Sequence, residues 1–531
     1  MAKKKFYITT PIYYVNANPH IGHAYTQVAV DAVSRYRKML GEEVFFLTGT
    51  DEHGEKVEEA SLKAGFEKGS EKEFVDTIVA NFENVWKALD IQYDYFIRTT
   101  DEKHQMVVQE FLNKMKQSGD IYQGEYDGWF CTPCETFWTE KQIERGVCPD
   151  CNRPVEKIKE KNYFFRMSGH KEWLIDYINT HPSFIMPEFR KNEVLGFLRE
   201  ELNDLCISRP KERMAWGVPL PFDKDYVVYV WFDALINYAS GITASGRVND
   251  EVWPADFHVI AKDILRHHAV YWPIMLKSVG WDMPRTIFAH GWWKMGEEKM
   301  SKSKGNIVDP VALIDKFGKN PDPLRYFLLK AVNFGQDGVF NEDALVTMYN
   351  SDLANDLGNL LNRTLTMVEK YFDGVSPRAP EDAGCEAQHE RSNVMIREGV
   401  VRLFPLVDEY LRSSNLCFKE ALEAIMRVVG KANKYIEESA PWKYAKENNT
   451  EAIKLIIADL VEVLRSSAVA LFPFMPRTAV KMWDQLGLAE DIEKQLDRGQ
   501  IEKVDLSRPD WRKFPAGTKC AKGEPLFPRI Q

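Results

Sequence analysis

The chain has 531 residues, 44% hydrophobic and 28% charged, with a formal net charge of −10. At about 150 residues per domain this length predicts three or four domains, and the composition excludes a disordered or collagen-like chain. The negative charge excludes indiscriminate coating of nucleic acid, although a local basic track remains compatible with it.

In chain order, residues 6–15 read as a β-branched and aromatic strand. A helix from Pro19 to about Met39 follows, with Ile21, Tyr25, Val28, Ala29, Ala32 and Tyr36 on one apolar face. A short strand over 44–48 completes a βαβ unit, which predicts a parallel sheet. This first half of a catalytic α/β domain is expected to span 1–115. Residues 116–225 change texture, rich in Gly, Cys, Pro and charge, and read as an insertion with its own small fold. Residues 226–232 read as a fully apolar strand that opens the second α/β half, 226–345. From 346 to 515 the pattern is helical, broken by a polar linker at 373–391, and 516–531 reads as a docked tail. The most apolar stretch, 455–476, contains Asp459, Glu462 and Arg465, so it predicts an amphipathic helix rather than a membrane span. Lys3, Lys4 and Lys5 lead straight into Phe6-Tyr7-Ile8 with no apolar signal region, so a cytoplasmic protein is expected.

Asn18-Pro19-His20-Ile21-Gly22-His23 lies where the first strand hands over to the first helix. Asn18 is a good N-cap and Pro19 suits the first helical position, which predicts both histidines in the first turn. There the unpaired N–H groups and the helix dipole favour an anion. Gly22 lacks a side chain, so a flat ligand could approach the backbone. Lys299-Met300-Ser301-Lys302-Ser303-Lys304 is a basic loop before Asp309-Pro310, able to neutralise charge developing on a polyphosphate. By itself each motif has a plain alternative: surface histidines at a helix start, and a solvated lysine loop. Cys131-x2-Cys134-x13-Cys148-x2-Cys151 is the strongest purely chemical signal. Two such knuckles close a tetrahedral thiolate site around one structural Zn²⁺, with no open coordination position. Iron or a redox dithiol pair is the alternative.

HIGH behind a first strand, and KMSKS some 280 residues later, together resemble the class I aminoacyl-tRNA synthetases. The stretches 9–16 (TTPIYYVN), 48–54 (TGTDEHG) and 231–238 (WFDALINY) are similar to those of methionyl-tRNA synthetases. The resemblance implies a Rossmann-type parallel-sheet catalytic domain split by a zinc-knuckle insertion, followed by an all-α anticodon-binding bundle. It implies a methionine–tRNA ligase that uses ATP, methionine and tRNA(Met), with Mg²⁺ accompanying the ATP. Ile12 and Tyr14 would contact methionine and Asp51 would accept from its ammonium, while Trp231, Ala234, Leu235, Tyr238, Ile264 and His268 would enclose the thioether. Many relatives carry Pro at the position of Leu235. His20, His23, Lys299 and Lys302 would be catalytic; Gly22 and Asp263 would join His20, His23 and Lys302 around ATP. Asn359, Arg363 and Trp442 would read the anticodon, although from composition alone Trp442 reads as a core residue. The branched-chain synthetases carry a larger editing insertion than the roughly 110 residues seen here. A cysteinyl synthetase, an inactive zinc-ribbon RNA-binding protein and an HxGH nucleotidyltransferase are the remaining rivals. A monomer is expected, because the chain ends without the extra oligonucleotide-binding-type domain through which many of the family dimerise, and no membrane or stable protein partner is implied.

Overall fold

The computed structural model describes residues 4–132, 136–138, 140, 143, 146–149, 152–296, 298–299, 307–380, 387–488 and 514–530, without the side chains of 136–137, 298–299 and 387–393. Its centre is a six-stranded parallel sheet. In chain order the strands are β1 (Lys5–Tyr14), β2 (Glu43–Asp51), β3 (Tyr95–Arg98), β4 (Ile185–Met186), β5 (Phe257–Ala261) and β6 (Thr286–His290). In space they run β3–β2–β1–β5–β6–β4. The strands are near-continuous apolar runs because helices cover both faces of the sheet. The order reverses between β1 and β5, and such a switch opens a crevice at the carboxyl ends of the two strands.

Two local features aim β1 into that crevice. Pro11 cannot donate to the ladder, and the β1–β2 register shifts between Thr9 and Ile12. Beyond this irregularity Ile12 and Tyr14 are half-exposed while Tyr13 is buried. Helix α1 (Ile21–Met39) then starts at His20, which is its N-cap. Asn18, expected to cap, instead accepts from Asn81 Nδ2 at 2.8 Å. The correction has a physical reason: an imidazole nitrogen accepts a backbone N–H as well as an Asn oxygen does, and only His20 sits at the residue where the chain turns helical.

The expected apolar face of α1 is buried, but so are Asp31, Arg35 and Arg37 on the other side. The covering layer includes α2 (Asp322–Lys330) and the helical C-terminal region. Arg325 on α2 is fully buried. Its guanidinium donates to Asp31 at 2.6 Å and to the carbonyls of Leu89, Pro473 and Phe474 at 3.1, 3.1 and 2.9 Å. One side chain thus ties the first helix of the sheet domain to a turn of the helical region.

Two expectations about local structure fail. Residues 226–232 divide into the strand Asp223–Val228 and a helix from Val230 to Leu235, so Trp231 and Phe232 are helical. The helix Thr450–Leu471 is buried all round, with Asp459, Glu462 and Arg465 1%, 0% and 9% exposed. It is the central rod of the helical region rather than an amphipathic one. Glu462 survives there because Arg465 and the backbone N–H of Phe514, just before the tail, satisfy it.

The segment 116–225 contributes a four-stranded antiparallel sheet built on the hairpin Ile121–Cys131 and Glu156–Phe165, and also the edge strand β4 of the main sheet. The helical region contains Asn359–Phe372, Ala387–Arg412, Phe418–Ser439, Thr450–Leu471 and Pro476–Gln485. The tail returns to it: Tyr349 donates to the Pro528 carbonyl at 2.7 Å, and Val375 bridges Lys519. Among the described residues no helix is long and apolar enough to cross a membrane.

Candidate active site

A cleft of about 1510 Å³ opens at the switch point, lined by the ends of β1, β2, β5 and β6 and the start of α1. Gly22 N–H donates to His20 Nδ1 at 3.0 Å, and His20 N–H donates to His23 Nδ1 at 3.1 Å. The two rings lie 4.0 Å apart. Because both Nδ1 atoms accept, each neutral ring carries its proton on Nε2 and is a donor there. The caps therefore fix tautomer and ring orientation together. A Cβ on Gly22 would lie 2.8 Å from His20 Cε1. The missing side chain thus leaves room for the His20 ring, and Gly22 itself lines the cleft.

Ile12, Tyr14, Asp51, Trp231, Ala234, Leu235, Tyr238, Ile264 and His268 all line the same cleft. Tyr238 and His268 are joined at 2.7 Å, and His268 Nδ1 lies 2.9 Å from the Ile264 carbonyl. A carbonyl only accepts, so His268 donates from Nδ1 and receives the Tyr238 hydroxyl at Nε2. The ring is neutral, and burial brings its pKa down to about 4. Behind it Tyr238 stacks on His258 at 4.1 Å, and His258 bonds Thr9 of β1 at 2.9 Å. Trp231 stacks on His267 at 3.8 Å and meets Tyr14 edge-on at 6.0 Å.

Asp263 is at the mouth, where Trp292 Nε1 donates to it at 3.1 Å. Nearby, Lys262 and Lys294 both pair with Asp337, at 2.8 and 2.6 Å. Burial opposes the Asp337 charge, but the two ammonium groups hold its carboxyl well below the usual range. Lys294 is opposite Lys299 in the hairpin that carries the basic loop. The Lys299 side chain and the whole of Lys302 lie outside the described residues.

The sequence reading missed His53, His104 and Asp233, a buried polar cluster beneath the Trp231 wall, and His267. His53 and Asp233 stand inside the quoted stretches, so their position was visible; their pairing across 180 residues was not.

Residues 6–157 and 153–365 match the model for class I tRNA synthetases of the methionine type, and 407–507 match an anticodon-binding domain of tRNA ligases. The methionine–tRNA ligase of Caldanaerobacter subterraneus subsp. tengcongensis is 47% identical over 99% of this chain and 79% of its own length. That of Clostridium acetobutylicum is 48% identical over 99% and 78%. The chain belongs to the methionyl-tRNA synthetases. Among solved structures, the Mycobacterium tuberculosis methionyl-tRNA synthetase in complex with methionyl-adenylate superposes with a TM-score of 0.89 at 39% identity, covering 99% of this chain and all of that one. The free-state structure of the same enzyme gives 0.83 at 36% identity, covering 100% and 99%.

Outside the cleft, Cys131 and Cys148 are fully buried in one small cluster with Trp138. Cys134 and Cys151 lie outside the described residues. Cys206 and Cys520 are buried small residues whose thiols burial pushes up to about 11. In the helical region Arg363 pairs with Glu437 at 2.6 Å on the helix Phe418–Ser439, and Asn359 is exposed one turn earlier. That helix ends at Ala440, whose left-handed φ of 43° reverses the chain into Pro441-Trp442. Trp442 is 41% exposed, so it is not the core residue that composition suggests.

Proposed function

We infer that this methionine–tRNA ligase carries out both of its steps at the switch-point cleft. Methionine carboxylate attacks the α-phosphorus of ATP, forming the methionyl-adenylate and releasing pyrophosphate. The terminal ribose hydroxyl of tRNA(Met) then attacks the activated carbonyl and AMP leaves. No covalent enzyme intermediate is required, so the protein contributes positioning and charge stabilisation.

The observation that carries this reading is the convergence on one cleft of two kinds of wall. At one end the His20 and His23 Nε2 donors sit at a helix N-terminus, suited to phosphate and adenosine beside Gly22 and Asp263. At the other, Ile12, Tyr14, Trp231, Ala234, Leu235, Tyr238, Ile264 and His268 form an apolar and aromatic enclosure with Asp51 at its edge. A thioether is held by such contacts and an ammonium by such a carboxylate. Lys299 and Lys302 would neutralise charge developing on the phosphorus and the departing pyrophosphate. Mg²⁺ accompanies the triphosphate. Pyrophosphate exchange measured with each amino acid in turn should respond to methionine; exchange driven by another amino acid, or none, overturns the reading.

The insertion at 116–225 is proposed to hold a structural Zn²⁺ through Cys131, Cys134, Cys148 and Cys151. Cys131 and Cys148 belong to one buried cluster, and Cys148 N–H and carbonyl close a tight turn with Arg153 O and Asn152 N at 2.8 Å each. That geometry suits a metal knuckle, where the ion replaces a core in a small fold. Elemental analysis should return about one zinc per chain, as four thiolates make one closed site. Protein lacking zinc after purification without chelators contradicts it. The exposed Asn359 and Trp442, with the half-buried Arg363, are proposed to read the anticodon, and the protein is proposed to act in the cytoplasm.

A further inference from the structure

The two walls of the amino-acid end come from separate segments: Asp51 ends β2, and Trp231, Ala234 and Leu235 ride on the helix Val230–Leu235. Two residues beyond Asp51, His53 turns inward and its Nδ1 lies 2.8 Å from Asp233 Oδ2. Asp233 is itself two residues beyond Trp231. Its other oxygen is 2.7 Å from His104 Nε2 on the helix Glu102–Gln117, and His104 Nδ1 is 2.7 Å from Ser240 Oγ. His53, His104 and Asp233 are 4%, 0% and 0% exposed, and none of them lines the cleft. Burial works against the Asp233 charge, yet the His104 and His53 rings hold its carboxyl at about 2. A carboxylate buried without a Lys or Arg partner is expensive, and an apolar trio would fill the space as well. What the polar trio adds is direction: the His53–Asp233 bond fixes one wall segment against the other, and His104 anchors Asp233 to the helix Glu102–Gln117.

We propose that His53, Asp233 and His104 are positioning residues that set the separation between the ammonium acceptor Asp51 and the thioether wall at Trp231, and so govern methionine KM. The proposal rests on the reading of the cleft given above. Both imidazoles donate to Asp233, His53 from Nδ1 and His104 from Nε2. The Asn amide nitrogen mimics a histidine Nδ1 and the Gln amide nitrogen mimics Nε2.

The test is steady-state pyrophosphate exchange with melting temperature recorded for every variant. His53→Ala is expected to raise methionine KM at least about tenfold, since a misplacement of about 1 Å can cost on the order of 10²-fold. ATP KM and kcat should stay within about threefold, and His53→Asn should restore most of the methionine KM while His53→Gln should not. Ser240→Ala loosens His104 without leaving a buried charge unpaired, so it remains informative where His53→Ala does not fold. It should raise methionine KM about threefold at unchanged ATP KM. Unchanged methionine KM in His53→Ala or Ser240→Ala, parallel rises for methionine and ATP, or equal behaviour of the Asn and Gln variants each overturn the proposal. Absence of methionine-dependent exchange in the unaltered protein is a different result, which overturns the functional reading instead.

Discussion

At the scale of single residues, His20 combines two tasks that substitution separates. Its ring caps α1 through Gly22 N–H, which leaves the ring proton on Nε2, and the residue lines the cleft proposed to hold ATP. His20→Ala removes both; losing a cap costs about 1 kcal/mol of stability. His20→Asn keeps an oxygen that caps but places no donor where Nε2 stood. The Asn variant should therefore melt close to the unaltered protein, yet lose on the order of 10²–10³ in exchange turnover, the range for removing one oriented donor. Differential scanning calorimetry and exchange kinetics check the pair. Turnover in His20→Asn within threefold of normal would leave the ring with a structural task alone.

At the scale of elements, the joint between the helix Phe418–Ser439 and Pro441-Trp442 carries the clearest test of tRNA reading. Trp442 is 41% exposed, and its indole is available for stacking on a base. Base–aromatic stacking contributes about 1–3 kcal/mol, or roughly 5- to 150-fold in aminoacylation efficiency. Trp442→Ala should show that loss with normal melting and normal methionine-dependent exchange. A matching loss in both assays would remove the anticodon assignment. The same scale explains an error of pattern reading. The run 226–232 is apolar throughout, which fits a buried strand and a buried helix equally well. The chain changes from one to the other at Tyr229, which precedes the helix as its N-cap.

At the scale of the whole molecule, Arg325 and the buried histidines set how the parts hold together. Arg325→Leu leaves the Asp31 charge with Arg35 and the Gln92 N–H and strips donors from three carbonyls. Breaking a buried pair this way costs on the order of 3–5 kcal/mol, which chemical denaturation should register. A loss below 1 kcal/mol would mean that the helical region is held by apolar packing alone. His258, His267, His268 and His290 are kept neutral by burial, the last two with pKa near 4 and the first two also well below the usual value. The unfolded chain binds protons to these sites near pH 6.5 and the folded one does not, so their contribution is complete above about pH 6.5 and is lost as pH falls toward 4. Asp233, depressed to about 2, adds a loss only below about pH 4. Melting temperature should be flat from pH 7 to 8 and decline from pH 6.5 to 4.5; a rise over the acidic interval would contradict the neutral assignments.

The sequence by itself determined the elements whose signal is local. The 3.6 periodicity of α1, the β-branched run of β1, and the HIGH, KMSKS and paired CxxC spacings are all read over a few neighbouring residues, and they sufficed to identify the family. Tertiary structure decided everything that depends on residues meeting across long separations. Glu462 read as the polar side of an amphipathic helix because one of the groups that satisfy it, Phe514 N–H, lies elsewhere in the chain, and the Asp31–Arg325 pair spans 294 residues. Asn18 read as the cap because propensity ranks side chains without knowing which residue begins the helical turn. The His53–Asp233–His104 cluster was invisible for the same reason: each member is an ordinary polar residue until the parallel sheet brings strand end and helix together. Hydrophobic periodicity records which face is buried, but a buried hydrogen bond is specified by two positions at once, and only the fold supplies the second.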